Sequence, residues 1–398
     1  MLVMNNHETS VETAKQNITN KGTPDFSKTA TTDEGLFMAE DDEGASYYYR
    51  GAVKNNYVSF AGFIWRIIRR NGDGSIRMIY SGKKTSDTGS STTIGKSSFN
   101  EKYWDPTYVG YMYNEEFSLH ENNITTQYDG FIATQNYDFG TSYTFDESTR
   151  KFALTGTIKQ LTWKENHDEI VNNNLYSCLN TGCHVVYKVL SYQDERYMLV
   201  KPFSYSSNSY NNAIINNNNS TIKNIMNLWY KTNLLNYDKY IADEVFCNDR
   251  SLKIESGYLV SPTTYYGAYN RLFKQKLPFL KCTQDNDKFK VANKIAKLEY
   301  PVALITADEV SMAGAADAVN KSFYLYNGQY FWTMSPSRFL SDRSEARISY
   351  ISNNGAIEHW SGVSSLYTIR PVINLKPDIT ISSGDGTSIA PFIIALNQ

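Results

Sequence analysis

Residues 56–80, NYVSFAGFIWRIIRRNGDGSIRMIY, constrain the fold more than any other stretch. β-Branched and aromatic residues fill the first part, four turn formers follow in NGDG (71–74), and SIRMIY then alternates polar and apolar side chains. That pattern predicts two antiparallel strands joined by a tight hairpin. Arg66, Arg69, Arg70 and Arg77 are expected to alternate outward from a half-buried sheet. The C-terminal third repeats this punctuation. SFYLYN, QYFWTMS, EARISYIS, AIEHWSG and YTIRPVINL read as short strands, and SNNGA (352–356) reads as a hairpin turn. In YFWTMSPSRF (330–339), Tyr330, Phe331 and Trp332 suit a buried strand, which Ser335, Pro336 and Ser337 are expected to end.

Helical signals are few. STIKNIMNLWYKTNLLNY (220–237) opens on Ser and Thr and spaces Ile222, Ile225, Met226 and Trp229 as one apolar helix face, expected to be core. PVALITADEVSMAGAADAV (301–319) reads as a buried strand followed by a short helix. Thr306 and Glu309 have the spacing of a capping box, so Asp308 and Glu309 read as helix-start carboxylates. Residues 1–44 are polar and lack a helix or strand period, which predicts an extended arm or tether. Residues 115–215 change character. They read as an inserted, antiparallel, β-rich subdomain that closes in a flexible joint, SSNSYNNAIINNNNS (206–220).

The chain of 398 residues has room for one large core or two ordinary ones. With 39 basic and 41 acidic residues it lacks the basic excess that nucleic-acid binding needs. Apolar runs such as PFIIAL (391–396) fall far short of the roughly 20 residues of a membrane span. MLVM lacks the basic start and cleavage site of a secretory signal, and suits either the tail of a membrane or pilus anchor or an ordinary cytosolic start. The 31 tyrosines and the abundant asparagines carry two readings: AT-rich codon usage, or the residue palette of a contact surface.

The four cysteines fall as two couples. Cys178 and Cys183 flank a turn in YSCLNTGCHVVY, and Cys247 and Cys282 are separated by about a helix and a loop. An even count without CxxC spacing favours two disulfides and an oxidising, extracellular compartment over zinc. Four reduced, buried thiols are the rival reading.

Searches for chemistry return little. His7, His120, His167, His184 and His359 form neither HExxH nor HxH, and neither GxSxG nor GxxxxGK[ST] occurs. His184 neighbours Cys183, yet adjacent strand residues point to opposite faces. NGDGS (71–75) and SGDGTS (383–388) lack the further ligands of a calcium loop and read as turns. No catalytic residue, metal ligand or cofactor motif is assigned.

The candidate contact residues are Arg338, Arg343, Arg347, Tyr350, Asn353, His359, Trp360 and Tyr367. Trp, Tyr and Arg dominate binding energy at interfaces. In a hairpin over 346–360, Arg347 and Ser349 would share a face opposite Ile348 and Tyr350. The alternative is that Trp332 and Tyr367 are core and the arginines are solvated.

Five blocks carry a resemblance: EGASYYYRGAVKNNYVSFAGFIWRIIRRNGDGSIRMIYSG, WYKTNLLNYDKYIADEVFCNDRS, YPVALITADEVSMAG, YLYNGQYFWTMSPSRF and IRPVINLKPDITISSGDGTSIAPFII. In this order they resemble a family of uncharacterised surface proteins of low-GC Gram-positive bacteria, often preceded by a secretion or prepilin-like anchor. IRPVINL is also similar to the ending of domains related to the formylglycine-generating enzyme, a variant of the C-type-lectin fold, although Thr368-Ile369 replaces the usual residues before Arg370. The resemblance implies an α+β, C-type-lectin-like domain formed by 45–114 and 216–398, with a buried, structural Arg370. It implies ligand presentation near the C-terminal strands. The cysteines do not adjoin the RPV region, so the enzymatic activity is not carried over. The expectation is an extracellular, anchored, adhesin-like or pilin-like protein that binds a glycan or protein ligand. A carbohydrate-active hydrolase and a self-assembling surface subunit are the alternatives.

Overall fold

A computed structural model describes residues 15–103, 105–114, 209–253, 257–259, 263–340 and 345–396, together with the backbone of the strands between 115 and 208. The architecture is mixed α+β, mostly strands in open sheets with few helices. The NGDG hairpin forms as its residues dictate: Phe63–Arg70 pairs antiparallel with Ile76–Tyr80. This hairpin is the centre of an eight-stranded sheet. Asp33–Asp41, Gly44–Gly51 and Tyr57–Phe60 join it from the N-terminal side, and Val372–Leu375, Ile381–Ser383 and Phe392–Ile394 from the C-terminal end. Within the polar stretch 1–44, residues 33–41 are therefore a sheet strand. Strand alternation was hard to see there because the strand's side chains are mostly half-buried or exposed.

A second sheet of six strands is built on Phe331–Leu340. It runs Ile357–Glu358, Glu345–Ile351, Phe331–Leu340, Tyr367–Thr368, Lys96–Ser97, with Thr263–Tyr265 on the remaining part of Phe331–Leu340. The predicted stop at Ser335-Pro336-Ser337 does not occur. The strand runs straight through, and its register against Glu345–Ile351 shifts on both sides of Pro336. A bulge frees the position from the ladder hydrogen bond that proline lacks, so proline is tolerated inside a strand buried along its whole length. SFYLYN is not a strand. Residues 322–327 are bends and turns that bury Phe323, Tyr324 and Leu325.

Both sheets contribute to one hydrophobic core that includes Trp65, Met78, Tyr108, Trp332, Ile348 and Val372. Helix Thr221–Asn233 covers it, burying Ile222 and Met226, while Ser220 accepts a cap hydrogen bond from Lys223 N–H. The short helix Ala307–Met312 starts with the predicted capping box of Thr306 and Glu309.

Of the four arginines expected to face outward, Arg70 is partly exposed and the other three are not. Arg66, Arg69 and Arg77 are buried because both faces of their strands are covered. Arg66 donates to Asn56 Oδ1 and to the Val53 carbonyl and lies over the Tyr57 ring, while Arg69 and Arg77 meet Glu309. Arg370 is buried as expected, donating to the carbonyls of Tyr80 and Leu325.

Strands Met112–Tyr113 and Asn218–Asn219 pair antiparallel, so the chain leaves and re-enters the main body side by side. Between them lies a five-stranded antiparallel sheet. It comprises Thr125–Gln127, Glu169–Val171, Asn174–Leu179, Gly182–Tyr192 and Glu195–Pro202, accompanied by the pair Ser142–Asp146 and Lys151–Thr155. Of the predicted flexible joint 206–220, the described residues 209–220 are instead tied down. The Tyr210 hydroxyl donates to the Arg250 carbonyl, Thr107 donates to the Ala213 carbonyl, and Asn216 donates to the Asn286 carbonyl. Asparagine reads as loop in a sequence, yet its amide can satisfy backbone carbonyls in trans.

Candidate functional site

Two polar constellations stand out, and their geometry separates them. The first is a small cavity of about 50 Å³ between the first sheet, the helix Ala307–Met312 and the Cys247–Cys282 disulfide. Arg69 pairs with Asp41 (2.7 Å) and Glu309 (3.1 Å), and Arg77 also pairs with Glu309. Arg271 grips Asp308 through two hydrogen bonds of 2.9 and 3.0 Å and reaches Asp249 at 2.7 Å. Burial pushes the Glu309 carboxyl up, and Arg77 and Arg69 more than reverse that, holding it below the ordinary range. Asp308 and Glu309 are thus more than helix-start carboxylates: they tie the helix to both the first sheet and Arg271. A space of this size holds a water or two, not a sugar ring. Each of the carboxylates Asp41, Asp249, Asp308 and Glu309 is committed to a guanidinium, so the arrangement is a structural ion network.

The second constellation is on the hairpin of Phe331–Leu340 and Glu345–Ile351. Register places Arg338 directly opposite Arg347 on one side and Tyr265 on the other. Such opposed residues have Cβ atoms about 5 Å apart, and two like charges there repel. Arg347 Nη2 pairs with Glu345 Oε2 at 2.7 Å. Tyr265 interacts with the Arg338 guanidinium, which lies 4.2 Å from the centre of the Trp360 ring. Arg338, Arg347 and His359 are 6%, 7% and 8% exposed, whereas Trp360 is 58% exposed. Nε and Nη2 of Arg338, Nε of Arg347 and Nδ1 of His359 have no hydrogen-bond partner among the described residues. Buried polar atoms are normally satisfied, so four such nitrogens in one cluster mark a place with unused binding capacity.

His359 is packed among rings, with Phe273 at 4.4 Å, Trp360 at 4.4 Å and Tyr269 at 5.0 Å between centroids. Burial lowers its pKa to about 4, and Arg338, Arg347 and Lys274 act in the same direction. The imidazole is therefore neutral at neutral pH.

The predicted contact residues split into separate groups. Arg338, Arg347, His359 and Trp360 come together. Tyr350 and Tyr367 form another cluster with Tyr330, with centroids 4.8 to 6.2 Å apart, over the buried Trp332. Tyr350 is three residues from Arg347 along a strand, which turns it to the other face. Ser361 shares a short hydrogen bond with the Tyr367 hydroxyl. Asn353 is exposed on the turn at the far end of the hairpin, roughly 20 Å along the chain from Arg347. Arg343 lies outside the described residues, as do the side chains of Cys178 and Cys183.

Arg338 and Arg347 are not solvated, as the alternative reading had it: both are buried. Arg347, Ser349, Ile348 and Tyr350 are all buried, so both faces of the hairpin are covered. The segment after Ile357–Glu358 provides the cover, with Gly362 bridging Arg347 and the His359 carbonyl accepting from Ser337 Oγ at 3.4 Å. Tyr265, Tyr269, Phe273 and Glu345 were missed. The two-residue spacing of Glu345 and Arg347 on one strand face was a legible signal. The arrival of Tyr265 from some 70 residues away was not.

Among the described residues, no group of three or more His, Cys, Asp or Glu is placed to hold a metal ion, and no helix is long and apolar enough to cross a membrane. No protein-family model, curated protein or solved structure matches the chain.

Proposed function

We propose that this chain is a ligand-binding protein of a cell surface that engages a glycan or protein through the face displaying Trp360. The observation that carries the reading is a 58% exposed indole seated on a buried guanidinium. Burying a large apolar ring that is now in water is favourable, and Trp and Arg are both enriched among the residues that carry interface energy. Leu366 is also exposed, at 69%. The Cys247–Cys282 disulfide supports an oxidising location. The resemblance of the five sequence blocks to anchored surface proteins, and of IRPVINL to C-type-lectin-like domains, supports the same reading. The segment 115–215 is proposed to be an inserted subdomain, because the strands that flank it pair with each other.

The hydrolase alternative loses ground because the carboxylate-lined cavity is small and four of its acids, Asp41, Asp249, Asp308 and Glu309, are paired with arginines. The test is binding of the purified chain to an array of glycans and surface proteins, beside the variant Trp360→Ala/Leu366→Ala. Both positions are exposed, so the fold is preserved, which a thermal melt checks. A hit lost in the variant supports the reading. A hit of equal strength in the variant, or no hit at all, rejects it.

A further inference from the structure

The unsatisfied nitrogens beneath Trp360 allow the ligand class to be narrowed; the inference rests on the binding reading above. Two guanidiniums and Lys274 against one carboxylate, Glu345, leave a net positive charge around Arg338, Arg347 and His359. Neutral His359 adds no charge but offers an unpartnered ring nitrogen. An arginine fork accepts an oxyanion through parallel N–H···O bonds, and an anion set between two like charges removes their repulsion. The route in is under the indole. Trp360 covers Arg338, yet more than half of its own surface is in water, and it belongs to the stretch between Ile357–Glu358 and Tyr367–Thr368 that is outside both strands. Turning it aside disturbs little of the core.

An extended peptide adding to the sheet is disfavoured at this place. Tyr265 already occupies the outer side of Arg338, and Gly362 already occupies the outer side of Arg347. Without a free strand edge, main-chain pairing is not on offer. What remains is an end-on acidic group next to an exposed apolar ring. We propose that the Arg338–Arg347–His359 cluster under Trp360 takes the acidic group of a saccharide, a carboxylate or a sulfate ester, with the sugar ring against the displaced indole.

The test uses the full chain, calorimetry and tryptophan fluorescence. The probes are a glucuronate-containing tetrasaccharide, a sulfated neutral tetrasaccharide, the matching uncharged tetrasaccharide and a Glu-rich tetrapeptide. At least one acidic saccharide is expected to bind with a fluorescence change, and the uncharged one to bind roughly tenfold or more weakly. Which acidic probe binds identifies carboxylate or sulfate as the recognised group. Trp360→Phe is expected to retain binding and lose the fluorescence change, and Arg347→Gln to weaken binding roughly tenfold or more. If Arg347→Gln fails to melt cooperatively, Trp360→Ala takes its place, with weakened acidic-saccharide binding expected. Equal binding of charged and uncharged sugars overturns the proposal, and so does a tetrapeptide bound as tightly as the acidic sugar. Failure of every saccharide, alongside a Trp360-dependent protein hit on the array, sinks the acidic-saccharide inference alone. Absence of any Trp360-dependent hit sinks the surface reading as well.

Discussion

His359 shows how a single residue reports its surroundings. Its ordinary pKa of 6.5 falls to about 4 in the folded chain, with burial first among the causes and Arg338, Arg347 and Lys274 adding to it. Above pH 6.5 the imidazole is neutral whether the chain is folded or not, so it has no effect on stability there. As pH falls through 6.5 the unfolded chain takes up a proton that the folded chain refuses until about 4, so stability is withdrawn across that window. His359→Gln is expected to lose less stability than the parent between about pH 7 and pH 5, read from urea midpoints. Glu244 works in the opposite direction. Burial, and then Asp73, raise its pKa from 4.5 to about 7, so its contribution to stability declines as pH rises from 4.5 through about 7. Glu244→Gln removes that decline. In Glu309→Gln, Arg69 and Arg77 lose their shared carboxylate, and a cost of about 3 kcal/mol or more in a denaturant titration is expected. The capping role of Glu309 was legible in TADE, because a capping box is local. Its grip on Arg69 and Arg77 was not, since those residues are over 230 positions away.

At the level of elements, turns were read well and strand ends poorly. NGDG and SNNGA form their turns because the local residues alone favour the required backbone. Gly355 adopts φ +85°, and a Cβ there would sit 1.8 Å from the Asn320 carbonyl oxygen. Gly355→Ala is therefore expected to lower the thermal midpoint, at a cost of more than about 1 kcal/mol. Phe331–Leu340 outlasted its Ser-Pro-Ser interruption because neighbouring strands accommodate a bulge. Bulges are a property of the pair, and one strand's residues do not announce them. The same limit explains the candidate site: the aromatic and arginine-rich segment was visible, but the split of Tyr350 and Tyr367 from Arg338 and Trp360 depends on strand faces and register.

Across the whole molecule, the Cys247–Cys282 disulfide spans 35 positions and fastens the wall of the ion-pair cavity. Closing a loop of that length restricts the unfolded chain by about 4 kcal/mol in the chain-entropy account, so Cys247→Ser/Cys282→Ser should unfold at distinctly lower temperature. Reductant is expected to shift the parent toward the variant. The paired ends Met112–Tyr113 and Asn218–Asn219 make a further prediction. Replacing residues 116–208 by a short Gly/Ser linker should leave a main body that still melts cooperatively, and loss of the cooperative transition would show that the segment is integral.

By itself the sequence determined the strand-rich character, the one long amphipathic helix, the turns and the capping box. These depend on residues within a few positions of each other, where backbone sterics and side-chain period act directly. It also marked Cys247 and Cys282 as partners. Tertiary structure alone decided that Arg66, Arg69, Arg77, Arg338 and Arg347 go inside. A charge is buried only where carboxylates, carbonyls or rings from distant segments converge on it, and that convergence is set by the pairing of strands far apart in the chain.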